Sequence, residues 1–205
     1  MKHFAFDLDD TLINTGETIL AIIEDMGLPI ADHREPYNSL RVLMNENVIS
    51  PEDYDLIIAI AADQAQPIGS MVQLLKQTID EHGMANIVST RAHMNTVETL
   101  NILGKILSPD EIFKVKIHWA KAPSETIRKA VDDQGLGDAK IYHFHELVKK
   151  GITHFIDDLG FNIAAIVESV PGLTPVWLLQ PWTIDRLYKS EYMDHPSVEL
   201  LELVN

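Results

Sequence analysis

Apolar positions along the chain fall into short unbroken runs, separated by longer stretches with a helical period. Five runs read as strands: His3–Leu8, Ala85–Ser89, Ile112–Trp119, Thr153–Ile156 and Thr174–Leu179. Most are too continuously apolar for a sheet with one wet face, and this predicts parallel strands covered by helices on both sides. Between them, Pro67–His82 carries Ile68, Met71, Val72, Leu74, Leu75 and Ile79 and stops at Gly83, a helix-ending residue. Thr96–Leu107, Pro123–Gln134, Ile141–Lys150 and Asn162–Val170 read as further helices, and Val198, Leu200, Leu201 and Val204 predict a short closing helix. Alternating strand and helix predicts an α/β fold with right-handed crossovers, a Rossmann-like doubly wound parallel sheet.

One interval breaks this rhythm. Roughly 75 residues separate the first strand from the second, far more than one crossover helix needs. Within it Thr18–Met26 and Tyr37–Asn47 read as helices. A third starts at Ser50-Pro51-Glu52-Asp53, with a capping serine, a proline at the first helical position and acids in the first turn. Residues 14–66 are therefore expected to be a small inserted α-helical cap on a core made of residues 1–13 and 67–205. Ligands of open α/β sheets bind at the carboxyl ends of strands, so an insert leaving the first strand there is expected to lie over the site as a lid.

Composition narrows the function. The 205 residues hold 16 Lys plus Arg against 31 Asp plus Glu, a formal charge of −15. Such a surface repels phosphate backbones and anionic membranes, which argues against a duplex nucleic-acid or membrane partner. A phosphorylated small substrate would need a local positive group or a bound cation. The chain has no cysteine, which excludes thiolate metal sites, disulfides and cysteine nucleophiles. MKHFAFDLDD is an apolar start that ends in acids, unlike a signal peptide, and no apolar run is long enough to span a membrane. The expectation is a soluble cytoplasmic enzyme.

The chemistry concentrates in Phe6-Asp7-Leu8-Asp9-Asp10-Thr11. Asp7 and Asp9 are two apart, so an extended chain aims both carboxylates the same way at the mouth of the sheet. A second apolar strand, Thr153–Ile156, likewise ends in acids, Asp157 and Asp158. Two acidic strand ends side by side would make an all-oxygen site for a hard divalent cation, with Mg2+ the natural choice because it shares its shell with phosphate.

FDLDDT, a strand ending in IVST, a lysine at a helix start and a strand ending in FIDD follow one another from Asp7 to Asp158, and in this order they resemble the motifs of the haloacid dehalogenase (HAD) superfamily of phosphotransferases. The long insert after the first motif is similar to that family's helical cap of the first type. The resemblance implies strand order 5-4-1-2-3 and a Mg2+-dependent phosphomonoesterase acting on a small phosphorylated metabolite, with a nucleoside monophosphate the first choice. It implies Asp7 as nucleophile, forming an aspartyl-phosphate, and Asp9 as the acid that protonates the leaving oxygen and then activates water. Mg2+ would be held by Asp7, the Asp9 carbonyl and Asp157, with Asp158 ligating directly or through water. Ser89, or its neighbour Thr90, would bond the phosphoryl group, and Arg91 just beyond is positioned to face phosphate. The balancing lysine is Lys140, which directly precedes the helix leading to FIDD, or Lys121 at the start of the previous helix. An acid at position 9 points to ester hydrolysis with water as acceptor, since family dehalogenases lack an acid there and transport ATPases carry threonine.

Position alone makes Trp182, in Gln180-Pro181-Trp182, a candidate for stacking on a base, and His33 and Arg34 candidates for reading the substrate from the cap. Two rivals remain: a phosphatase for nucleic-acid ends, which would need a basic groove, and a non-catalytic binding protein of the same fold.

Overall fold

The protein is described from a computed structural model covering residues 2–31, 33, 36–92, 96–121, 125–134, 138–179 and 190–202. The strands β1 (Phe4–Phe6), β2 (Ala85–Ala92), β3 (Val115–Lys121), β4 (His154–Asp157), β5 (Thr174–Leu179) and β6 (Glu199–Glu202) form a six-stranded sheet in the order β3-β2-β1-β4-β5-β6. Every neighbouring pair is parallel. The order 5-4-1-2-3 implied by the motifs is present, extended by one strand beyond β5.

The unbroken apolar runs have the expected cause, burial on both faces. Phe6, Ile87 and Ile156 point into one core with Leu75 and Ile79 of α4 (Gly69–His82) and Ile102 and Leu103 of α5 (Thr96–Ile106). Their neighbours Ala5, Val88 and Phe155 point the other way, into a core with Phe144 and Leu147 of α8 (Ala139–Lys149) and Ile166 of α9 (Gly160–Ser169). Period-two alternation thus divides each run between two helical layers. A short α6 (Pro109–Ile112) precedes β3, and α7 (Glu125–Gln134) follows it.

Two local expectations are corrected. The third strand begins at Val115, not Ile112, because Ser108-Pro109-Asp110-Glu111 closes a capping box and starts α6. The tail is no helix through Glu202: residues 199–202 pair with β5, Val176 opposite Glu199 and Leu178 opposite Leu201. Four residues are too few to reveal a period, and here Leu201 packs on the core while Leu200 faces outward.

Helices α1 (Thr15–Asp25), α2 (Pro36–Asn45) and α3 (Pro51–Gln64) lie between β1 and α4. They have a core of their own, with Ile19, Ile23, Leu40, Leu43, Ile57 and Ala61. Ser50 and Asp53 cap α3 reciprocally, Ser50 Oγ accepting the Asp53 N–H and Asp53 accepting the Ser50 N–H, both at 3.0 Å. The chain leaves and re-enters the core through one seam. Ile13 bridges Pro67, the Asn14 N–H donates to Gln66 O at 3.0 Å, and Asn14 Oδ1 accepts the Gln66 N–H at 2.7 Å.

Beneath β2 and β3, buried His118 Nε2 meets Asn86 Oδ1 at 3.0 Å, and His143 Nε2 meets Trp119 O at 3.1 Å. Burial pushes His118 down to about 3, with His143 adding to the fall. The unfolded chain then binds a proton below about pH 6.5 that the folded chain refuses, so stability is lost as pH falls from there toward 3. Denaturant titrations from pH 6.5 to 4 should show His118 contributing up to about 1.4 kcal/mol per pH unit, and His118→Gln should flatten the slope by that amount. Identical slopes in the two proteins would contradict this.

Candidate active site

Parallel pairing of β1 with β4, Phe6 opposite Ile156, brings the two acidic strand ends side by side. Asp7 follows β1 directly and its N–H donates to Ile156 O at 2.8 Å. Asp157 ends β4 and Asp158 follows. The carboxylates of Asp7, Asp157 and Asp158 each offer an oxygen within 4.8 Å of the others, and all three side chains are buried.

Lys140 sits among these acids. Its ammonium donates to Asp7 Oδ1 and to Asp157 Oδ2, both at 2.9 Å. Asp138 sets the start of α8, accepting the Lys140 N–H at 2.5 Å, so that the lysine leaves the first turn pointing into the sheet mouth. Lys121 ends β3, and its side chain lies outside the described residues.

Charge is unbalanced here. Burial pushes the Asp7 carboxyl up to about 8, and Asp157 and Asp9 add to the rise against the pull of Lys140. Burial alone would also discharge Lys140, but Asp157 and Asp7 outweigh it and hold the lysine above its usual value. Three buried carboxylates thus gather where one ammonium bonds two of them, an arrangement that favours a further cation.

Asp9 stands apart from that cluster. Its carboxylate takes a two-pronged contact from Arg91, Nε to Oδ2 at 2.9 Å and Nη2 to Oδ1 at 2.6 Å, and a bond from Thr15 Oγ1 at 2.6 Å. Burial would raise Asp9, but Arg91 and Thr15 prevail and hold it below the usual carboxylate range. Ser89 is buried and its Oγ accepts the Arg91 N–H at 3.1 Å, while Thr90 is exposed. Asp7, Asp9, Ser89, Arg91, Lys140, Asp157 and Asp158 therefore lie around one mouth, with Thr90 on its solvent side.

Several supporting residues escape sequence reading. Asn162, in the first turn of α9, donates Nδ2 to both Asp157 oxygens at 3.0 and 2.8 Å, and the Leu159 N–H adds a bond at 2.9 Å. The spacing FIDDLGFN was the available signal. Trp177, buried in β5, donates Nε1 to Asp158 O at 3.0 Å. Tyr37, which opens α2 beside Pro36, is raised by burial and then by the charges of Asp10, Asp9 and Asp158. Arg34 and Trp182 lie outside the described residues, and His33 is exposed.

Neither family models nor curated proteins match this chain. Solved structures do. A predicted phosphatase from Clostridium acetobutylicum aligns with a TM-score of 0.57 at 13% identity over 98% of this chain and 94% of its own. A HAD family hydrolase from Deinococcus radiodurans R1, with bound phosphate and sodium, aligns with a TM-score of 0.52 at 17% identity over 88% and 82%. The HAD-hydrolase YfnB from Bacillus subtilis, bound to magnesium, gives 0.52 at 13% identity over 98% and 93%. Identities this low speak for the backbone, and the backbone agrees with the motif order: this chain has the fold of the haloacid dehalogenase superfamily hydrolases.

Proposed function

We propose that the protein is a Mg2+-dependent phosphomonoesterase that works through an aspartyl-phosphate on Asp7. The observation that carries this reading is the convergence of Asp7, Asp157 and Asp158 around the Lys140 ammonium at the carboxyl end of the sheet. A buried all-oxygen donor set with excess negative charge fits Mg2+. Asp7 and Asp158 would be its principal ligands, since the Asp157 oxygens already receive Lys140, Asn162 and Leu159. When bound, the ion supplies charge that lets a carboxylate approach an anionic phosphoryl group.

The chain's own groups perform the steps. An Asp7 oxygen attacks phosphorus while the ester P–O bond breaks, and Asp9 protonates the departing oxygen. Asp9 then takes a proton from water, whose oxygen attacks the phosphorus of the acyl phosphate; inorganic phosphate leaves and the Asp7 carboxylate returns. Ser89 and Lys140 hold the phosphoryl oxygens. Arg91 is shared: an arriving phosphoryl group competes with Asp9 for the guanidinium, and Asp9, released beside the phosphate's negative charge, takes up from solvent the proton that it passes to the departing oxygen.

The substrate is a small phosphorylated metabolite, with a nucleoside monophosphate the first choice. Helices α1–α3 would cover the site and exclude water, with Tyr37 facing the substrate from that side. That bulk, and a charge of −15, disfavour duplex nucleic acid. Among the described residues no helix is long and apolar enough to cross a membrane.

Hydrolysis of p-nitrophenyl phosphate should disappear with EDTA, return with Mg2+, and fall at least about 10³-fold in Asp7→Asn. Calorimetric Mg2+ binding should be abolished by Asp158→Asn and retained in Asp9→Asn. Hydrolysis that survives EDTA, or Asp158→Asn binding Mg2+ like wild type, would contradict the assignment. Arg91→Ala should lower kcat/KM by roughly 10- to 100-fold, the loss expected for a charge-assisted contact to phosphate, and unchanged kinetics would remove Arg91 from the site.

A further inference from the structure

Asp10 has no role in the steps above, yet its backbone lies in a conformation that, glycine apart, chiefly Asp and Asn adopt, held by their short polar side chains. It follows Asp9 directly, is buried, and has φ 59, the left-handed region that glycine enters without steric cost. A larger residue persists there when its surroundings need the side chain. The Asp10 carboxylate accepts the Gly16 N–H at 2.7 Å, in the first turn of α1.

This bond replaces an ordinary helix cap. Asn14 occupies the capping position of α1 but makes no side-chain cap. Its carboxamide is committed elsewhere, to Gln66 across the seam and to Glu17. The N-terminus of α1 is therefore capped from the catalytic loop, by a carboxylate that also suits the positive end of the helix dipole. One position earlier on the same turn, Thr15 bonds Asp9 at 2.6 Å. Consecutive acids of the loop thus hold consecutive residues of α1.

Gly16 is hemmed in as well. A Cβ there would stand 2.7 Å from Asp10 Oδ2 and 3.1 Å from Pro36 Cγ, in the residue that opens α2. Catalytic loop, α1 and α2 meet on one glycine, too closely for any side chain to come between them.

We propose that Asp10 is a positioning residue: by holding α1 through Gly16 it fixes the Asp9 carboxylate and makes proton delivery to the leaving group depend on how the helical unit is seated. This rests on the phosphatase reading of the site. Asp10 acts through Asp9 and is assigned no contact with substrate.

Three variants separate positioning from folding. Asp10→Gly removes the carboxylate and suits the backbone; Asp10→Asn keeps an oxygen for Gly16 and tolerates the same φ. Gly16→Ala leaves Asp10 in place and improves helix propensity, but wedges the joint. Leaving-group release in a single turnover is compared for a simple alkyl phosphate, whose alkoxide needs a proton to depart, and for p-nitrophenyl phosphate, whose leaving group does not. Asp10→Gly and Gly16→Ala should slow the alkyl ester about tenfold or more and the aryl ester by less than about threefold, with Asp10→Asn recovering most of the alkyl rate. Amide exchange at Gly16 should quicken in Asp10→Gly. Equal slowing of both esters, slowing of neither, or unchanged exchange at Gly16 overturns the proposal. If Asp10→Gly does not fold, Gly16→Ala decides by the same selectivity. A wild-type protein that hydrolyses neither ester instead overturns the phosphatase reading, and the proposal with it.

Discussion

Lys140 reaches from the first turn of α8 to place its ammonium 2.9 Å from both Asp7 and Asp157, in a spot almost closed to water. Removing three charged groups from solvent is costly, and their attraction offsets that cost only if each finds partners in good geometry. Asp157 meets the condition: Asn162, Leu159 and Lys140 together bond both of its oxygens. Asp7 receives Lys140 on one oxygen, and burial still pushes it toward the neutral form. The lysine thus ties β1, β4 and α8 together while leaving one carboxylate under-compensated, the electrostatic setting a metal-assisted nucleophile needs. Every other part of the site is arranged around that imbalance.

The second half of the site is built on the opposite principle. Asp9 is over-compensated, gripped by Arg91 and Thr15 and held charged. Two carboxylates two residues apart are driven in opposite directions by their surroundings, which is how one loop can supply both a nucleophile and a proton carrier. The grip on Asp9 comes partly from the core, through Arg91 at the end of β2, and partly from the helical unit, through Thr15. The proposed proton chemistry and the seating of that unit would therefore share contacts.

Much of this was legible in the sequence, for identifiable reasons. Strand runs such as Phe4–Phe6 and Phe155–Ile156 are apolar on both faces, so their parallel, buried character shows without a partner, and acids placed directly after them have to lie at the strand ends. The capping serine and proline of α3 are equally local signals. What stayed hidden depends on distance. Asn162 meets Asp157 because α9 turns back over β4, Tyr37 nears the acids because α2 packs on α1, and Arg91 chooses Asp9 over solvent because β2 runs beyond Ser89. The tail misled for another reason: two leucines between two glutamates fit a strand and a helix alike until β5 supplies an edge.

In the proposed reaction Asp7 becomes covalently bound to phosphorus. The direct measurement is to mix the protein with a 32P-labelled phosphomonoester and Mg2+, quench in acid within the first turnover, and map the labelled peptide. Label should appear on the peptide containing Asp7, be released by hydroxylamine as expected of an acyl phosphate, and be absent from Asp7→Asn. Turnover with no labelled protein, or label carried by a peptide without Asp7, would contradict the account.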